Sequence, residues 1–295
     1  MHVVVFGAGS LGSLLGGMLA RAHEVTLVGR DPHVAAVRRD GLDVVGVEEF
    51  RADPAADTAV PEAADLALVA VKSGDTGDAA RALADCELSA CLSVQNGMGN
   101  EVTLAAELDC PVLAGTCSYG ARLEGPGTVA FTGRGEVVLG ARAGGPSPVA
   151  DGVGEAFDAA GIETTVATDM PTRLWEKLAV NAAINAATAL ARAENGALAD
   201  GPGRELAADA ARETARVARE RGVDLTDERA VSLTETVVRN TAANRSSTLQ
   251  DVEAGRPTEV DAINGYVVER AAEPVPVNET LTRLLRLWER ERDAR

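Results

Sequence analysis

Gly7, Gly9 and Gly12 stand in G-x-G-x-x-G spacing, directly after an apolar VVVF run and at the opening of an apolar, helix-forming stretch. In that setting the first glycine permits a tight turn, the second lets the backbone approach a pyrophosphate, and the third lets the helix lie close on the strand. The helix amino terminus then meets an anion with unpaired N–H groups. The segment predicts a dinucleotide site. The second candidate strand ends at Val28-Gly29-Arg30-Asp31, where such a site meets the adenosine ribose. An acidic group there favours a 2'-hydroxyl and an arginine favours a 2'-phosphate. Arg30 comes first after the strand, which favours NADP, and Asp31 beside it keeps NAD as the alternative.

A second set of polar groups lies in the carboxyl-terminal half. Lys177, Asn181 and Asn185 are spaced four apart in an otherwise almost wholly apolar helical segment, Leu174 to Leu190. At 100° per residue they share one narrow stripe about 12 Å long. Burying an ammonium and two carboxamides costs several kcal/mol unless they find partners. The stripe therefore lines either a polar ligand or an interhelical hydrogen-bond network. Further on, Ser246 and Ser247 stand at an expected helix start, where a hydroxyl either caps the helix or, with the free N–H groups, receives a carboxylate. Glu259, twelve residues after Ser247, opens another helix and alone reads as a first-turn acid favoured by the helix dipole.

These groups need elements to hold them. Up to about residue 140, short β-rich runs (2–6, 24–28, 42–45, 66–71, 91–94 and 112–114) alternate with helical stretches. Most are nearly continuous apolar runs, as expected of strands buried on both faces of a parallel sheet. Residues 116–140, with Gly, Pro and Thr turns, predict a meander closing that sheet. From Pro171 onward helical periodicity takes over, with helices expected at 172–192, 203–221, 227–240, 247–254, 259–272 and 279–291. The predicted fold class is α/β: a Rossmann-type doubly wound parallel sheet followed by an all-α carboxyl-terminal domain. The boundary is expected near Asp169, separating a nucleotide-binding domain (1–169) from a helical substrate and catalytic domain (170–295).

Composition narrows the function classes. At 295 residues and 46% hydrophobic content, the chain is long enough for two globular domains. No apolar run approaches the roughly 18 to 20 residues of a membrane span, and Met1 leads straight into the first strand, which predicts a cytoplasmic protein. Its net charge is -17, from 28 basic and 45 acidic residues. Such a field repels polyphosphate backbones and anionic lipid, so nucleic acid and membrane surfaces are excluded as expected partners. Acidity spread along the whole chain predicts a halophile-like surface suited to concentrated salt, where screening removes self-repulsion. Cys86, Cys91, Cys110 and Cys117 form no C-x-x-C pair and the histidines are only His2, His23 and His33, so no metal site is expected. Only Lys72 and Lys177 are lysines. So strong a bias toward arginine leaves lysine where a compact, deprotonatable ammonium is needed.

The motifs GAGSLG, VKSGDT with Lys72, QNGMGNE with Asn96, LWEKLAVNAAINAATAL with Lys177, and SSTLQDVEAGRPTEVDAINGYVV closely resemble those of the ketopantoate reductase (2-dehydropantoate 2-reductase) family, in the same order over nearly the whole chain. The resemblance implies NADPH-dependent reduction of 2-dehydropantoate to (R)-pantoate, on the route to pantothenate and coenzyme A. It implies cofactor contacts from Gly7, Ala8, Gly9, Ser10, Leu11, Gly12, Arg30, Lys72, Asn96, Ala121 and Glu259. It implies substrate contacts from Lys177, Asn181, Asn185, Asn195, Ser247, Thr248, Leu249 and Gln250. Lys177 is then the proton donor, with Glu259 beside it favouring the charged amine. The family pattern often has His where Gln95 precedes Asn96 here. The expected partner is a small keto acid, and the expected assembly a monomer or homodimer. A related 2-keto or 3-hydroxy acid dehydrogenase and a non-catalytic NADP(H)-sensing protein are the alternatives.

Overall fold

The computed structural model describes residues 1–293. They form two compact units: Met1–Gln95 with Gly99–Met170, and Asn96–Met98 with Pro171–Arg295. Three residues between a strand and a helix of the first unit thus pack with the second.

The elements of the first unit are β1 (His2–Phe6), α1 (Ser10–Leu19), β2 (Glu24–Val28), α2 (His33–Asp40), β3 (Leu42–Gly46), β4 (Phe50–Ala52), β5 (Ala55–Asp57), β6 (Ala63–Val69), α3 (Thr76–Leu83), β7 (Glu87–Ser93), α4 (Asn100–Glu107), β8 (Val112–Cys117), β9 (Gly120–Gly125), β10 (Thr128–Gly133), β11 (Val137–Ala141), α5 (Pro148–Ala159) and β12 (Thr164–Val166). An eight-stranded sheet runs β12-β11-β8-β7-β6-β1-β2-β5 and is parallel apart from the β8–β11 pair. Successive residues of β1 serve opposite faces, as the strand period of two requires. Val3 and Val5 join a core with Leu14, Leu15 and Leu27, whereas Val4 packs with Ala79, Ala80, Leu83 and Leu104 of α3 and α4.

A second sheet, in the order β4-β3-β10-β9, was not expected. The run at 42–45 does form a strand, but it pairs with β4 and β10 in this sheet and not with the parallel strands of the first. The predicted meander is also divided. β9 and β10 form a hairpin in the second sheet, and β11 returns antiparallel to β8 at the first. Helix α1 lies between the two sheets, and its Gly16-Gly17 pair shows why. A Cβ on Gly16 would sit 2.4 Å from Leu27 of β2, and one on Gly17 would sit 3.0 Å from Leu42 of β3. A side chain at Gly16 would push the Leu27 methyl aside and one at Gly17 would crowd Leu42, so this glycine pair suits a helix packed closely against a sheet on either side.

The second unit contains α6 (Met170–Ala191), a 3-10 turn (Asn195–Leu198), α7 (Gly201–Glu220), α8 (Asp227–Asn240), α9 (Ser247–Glu253), a π-turn (Asp261–Gly265), α10 (Tyr266–Arg270) and α11 (Pro276–Asp293). Its core is rich in alanine on α6 and α7, with Trp175, Leu178, Ile184, Ile263 and Val267 supplying bulk. The continuous helix predicted over 259–272 is instead the π-turn followed by the short α10. Among the described residues no helix is long and apolar enough to cross a membrane.

Candidate active site

In the first unit the chain leaves β1 through Gly7, whose φ of +107° belongs to the region glycine favours. The N–H groups of Gly7 and Ala8 both donate to the Val28 carbonyl at 2.9 Å, fixing the turn against the end of β2. A Cβ on Gly12 would lie 2.1 Å from the Gly7 carbonyl oxygen, so only glycine lets α1 start so close behind the turn. Gly9 differs, since a Cβ there meets nothing within 4 Å. That open space lies at the amino end of α1, whose N-cap is Gly9 itself and whose first turn has no side-chain cap. The uncapped N–H groups and the positive end of the helix dipole fit a pyrophosphate there.

Around the turn, Ser10 Oγ accepts from the Leu123 N–H of β9 at 3.1 Å, leaving its own proton to donate. Ala121 lies on the same strand, paired with Phe131, and Leu11 packs on the core. At the end of β2, Asp31 accepts the N–H of Ala35 at 3.1 Å and is engaged with α2. The Arg30 side chain is 90% exposed and reaches Asp75 only at 3.8 Å. The cation is therefore the freer of the two groups to meet a ligand. Half-buried Lys72 precedes the turn into α3, its carbonyl accepting from Asp75 N–H at 2.8 Å. Behind that turn Gln95, 5% exposed, accepts from Ser93 Oγ (3.1 Å) and donates to Thr76 Oγ1 (2.8 Å). The Thr76 hydroxyl lies 2.8 Å from Asn100 Oδ1 and 2.9 Å from the Ser73 carbonyl.

In the second unit, α6 carries Lys177, Asn181 and Asn185 along one face. Lys177 and Asn181 are half-buried, and Asn185 is 7% exposed. Neither carboxamide hydrogen-bonds to another described residue. The interhelical network that their spacing also allowed is absent for this pair. One turn on, the Thr188 hydroxyl lies 2.8 Å from Ser246 Oγ. Ser246 accepts the Leu249 N–H at 3.1 Å and is the cap of α9, which leaves Ser247 exposed. Thr248 is 3% exposed, and its hydroxyl too has no partner among the described residues. Leu249 is buried in the core with Val252, Leu281 and Leu285, so its side chain does not face a ligand. Gln250 donates to the Arg245 carbonyl. Asn195 heads the 3-10 turn and donates to Thr241 Oγ1 at 2.9 Å, while its buried Oδ1 has no hydrogen-bond partner.

Glu259 is 8% exposed and accepts from Asn96 Nδ2 at 3.3 Å. Gly97 and Met98 pack on the next turn: Met98 N–H donates to the Ala262 carbonyl at 3.0 Å. The structure thus brings Asn96 and Glu259, 163 residues apart in sequence, into contact. Among the described residues no group of three or more His, Cys, Asp or Glu is placed to hold a metal ion.

A family model described as Ketopantoate reductase PanE/ApbA matches residues 3–144, and one described as Ketopantoate reductase PanE/ApbA C terminal matches residues 169–289. The 2-dehydropantoate 2-reductase of Halobacterium salinarum is 43% identical, over 99% of this chain and 100% of that protein. The chain belongs to the ketopantoate reductase family. The 2-dehydropantoate 2-reductase of Archaeoglobus fulgidus is 38% identical over 97% of both chains. The crystal structure of a PanE/ApbA family ketopantoate reductase from Ralstonia eutropha superposes with a TM-score of 0.90 at 34% identity, covering 99% of this chain and all of that one. D-mandelate dehydrogenase, solved with NADH and anilino(oxo)acetate, has the same fold at a TM-score of 0.92 and 23% identity, over 99% of each chain.

Three polar groups outside the family-derived set hold chain segments that carry residues of that set. Ser246 was foreseen as a possible cap and acts as one. The Gln95 chain of hydrogen bonds and buried Asn264 were not foreseen. A polar residue inside an apolar run, as in Asp-Ala-Ile-Asn-Gly-Tyr, was the signal available for Asn264.

Proposed function

We propose that the protein reduces the keto group of 2-dehydropantoate to the hydroxyl of (R)-pantoate with NADPH, on the route to pantothenate and coenzyme A. The observation that carries this reading is the α6 stripe. Asn185, a largely buried residue, and half-buried Asn181 one turn before it make no side-chain hydrogen bond to another described residue, and Lys177 lies on the same face two turns before Asn185. Each carboxamide offers two N–H donors and a carbonyl acceptor, so a row of them not used by neighbouring side chains suits a ligand with keto, hydroxyl and carboxylate oxygens.

The residues of the first unit fit the cofactor. Gly7 to Gly12 cradle the pyrophosphate on backbone N–H groups, Ser10 Oγ can donate to it, and Arg30 is exposed to take a 2'-phosphate. The family resemblance adds Lys72, Asn96, Ala121 and Glu259 as further cofactor contacts. When bound, the reduced nicotinamide supplies a hydride to the keto carbon. Lys177 gives a proton to the oxygen that becomes the hydroxyl. Negative charge on that oxygen grows only toward the transition state, so a fixed ammonium there lowers the barrier selectively. The Asn181 and Asn185 amides orient the keto and hydroxyl groups, and Asn195, Ser247 and Thr248 hold the remaining polar end of the acid. Glu259, itself held by Asn96, favours the charged amine. Histidines end at His33 in the sequence, so the helical unit offers no imidazole as an alternative acid.

The test follows the absorbance of reduced nicotinamide with purified protein and 2-dehydropantoate, pairing NADPH and NADH against a panel of 2-keto acids. Turnover highest with 2-dehydropantoate and NADPH is the expected result. Preference for another keto acid would move the assignment to a related dehydrogenase, and tight NADPH binding without oxidation by any of them would overturn catalysis altogether.

A further inference from the structure

Between Glu259 and α10 the backbone makes the π-turn Asp261–Gly265, a widened helical turn of a kind found often at functional sites. Asn264 within it is 1% exposed. Its Nδ2 donates to the Ala182 carbonyl and to Asn278 Oδ1, each at 2.9 Å. Ala182 directly follows Asn181 on α6, so this bond fixes the turn at the level of the two carboxamides. Ile263 shares the apolar core with Ala179, Ala182 and Ala183. Such packing is non-directional and sets separation, whereas a hydrogen bond, which weakens steeply off-axis, sets register.

The same turn holds the other polar groups of this half of the site. The Glu259 carbonyl accepts the N–H groups of Ala262 and Ile263 at 3.1 Å, binding that residue to the turn after it. Ala262 accepts from Met98, and a Cβ on Gly97 (φ +77°) would lie 2.5 Å from the Ala262 Cβ, so the Asn96 segment rests directly on the turn. A shift of the π-turn along α6 therefore moves Glu259 and Asn96 together, away from Lys177, Asn181 and Asn185.

Asn278 provides a contrast. It is 0% exposed, and its Nδ2 donates to the Ala210 carbonyl (3.1 Å) and Glu213 Oε2 (2.8 Å) on α7. Glu213 also accepts the N–H groups of Val277 and Asn278. This part of the network joins α11 to α7 and makes no bond to α6.

We propose that Asn264 is a positioning residue for the reduction, holding the π-turn that carries Glu259 and the Asn96 segment in register with Lys177, Asn181 and Asn185. It acts through those residues and touches neither substrate nor cofactor. The inference rests on the function proposed above.

Asn264→Leu and Asn278→Leu separate this role from a contribution to folding alone. Both remove a buried carboxamide of similar connectivity, but only the first removes the bond to α6. With 2-dehydropantoate and NADPH, Asn264→Leu is expected to lose at least about tenfold in kcat, since a displacement near 1 Å can cost on the order of a hundredfold. Asn278→Leu is expected to melt at as low a temperature while keeping kcat within about twofold of wild type, the scatter of a site whose geometry is unchanged. Any smaller separation between the two variants, including equal losses of kcat, overturns the proposal. If Asn264→Leu does not fold, Asn264→Ser is read by the same criterion, and failure of both to fold makes Asn264 a residue of the fold only and equally overturns it. A wild-type protein inert toward every keto acid removes the function itself, which is a distinct result from an active wild type with an unaffected variant.

Discussion

At the scale of single residues, three substitutions separate acid, cofactor and substrate roles. Lys177→Ala should lower kcat by roughly 10²- to 10⁴-fold, the usual worth of general acid catalysis, and near-normal turnover in steady-state kinetics would remove Lys177 from that role. On the proposed function, Arg30→Ala should raise the Kd for NADPH well above any change for NADH, because Arg30 is exposed while Asp31 is engaged by Ala35. Equal losses for both cofactors in a fluorescence titration would refute that contact. Asn185→Leu exchanges a carboxamide that makes no side-chain hydrogen bond to a described residue for an apolar group of similar size. It should leave stability nearly unchanged while losing kcat/KM, and a variant losing both in denaturant titration and assay would argue that Asn185 is structural. Lys177, Asn181 and Asn185 were legible in the sequence because a spacing of four fixes a common helix face. Leu249 and Asn264 were not, since which way a residue in an apolar run faces depends on neighbours that local spacing does not specify.

At the scale of elements, strands such as β1 and β2 were legible to the residue because VVVF and VTLV are buried on both faces. The three-residue strands β4, β5 and β12 were not, being too short to show a period. The second sheet was hidden for a different reason: an apolar run announces a strand and not its partner, and β3 looks like any strand of the parallel sheet. Helix α5 escaped notice although Ser147 caps it and Pro148 opens it, the pattern expected of a helix start. The joint between α1, α2 and the β9–β10 turn depends on His33, 8% exposed, whose Nδ1 accepts the Gly127 N–H at 3.1 Å while Nε2 lies 3.0 Å from Ser13 Oγ. Burial lowers the His33 pKa below its ordinary 6.5, opposed in part by the Gly125 carbonyl. In acid the unfolded chain then binds a proton that the folded one resists, so stability is full above pH 6.5 and falls as the pH drops from there toward the lower folded pKa. Urea unfolding of wild type against His33→Gln should show this slope flattened in the variant, and parallel curves would exclude His33 as its source.

At the scale of the whole molecule, the charge of -17 dominates. The described ion pairs are between arginines and carboxylates, and most are well exposed, as with Arg38–Asp57 and Arg81–Asp78. Exposed pairs of this kind contribute only about 0–1 kcal/mol each, too little to offset repulsion among the excess acids. Raising salt from dilute to about 1 M shortens the screening length to roughly 3 Å, so the midpoint of thermal unfolding should rise, and a constant midpoint would dismiss the halophile-like reading of the surface. Arginine so dominates the basic side chains that Lys72 and Lys177, both half-buried, carry the only side-chain amines. Reductive methylation with isotopic formaldehyde would therefore install just two side-chain NMR labels, one in each compact unit. On the proposed function, those labels would report nucleotide arrival and keto acid arrival as separate signals, without engineering the chain.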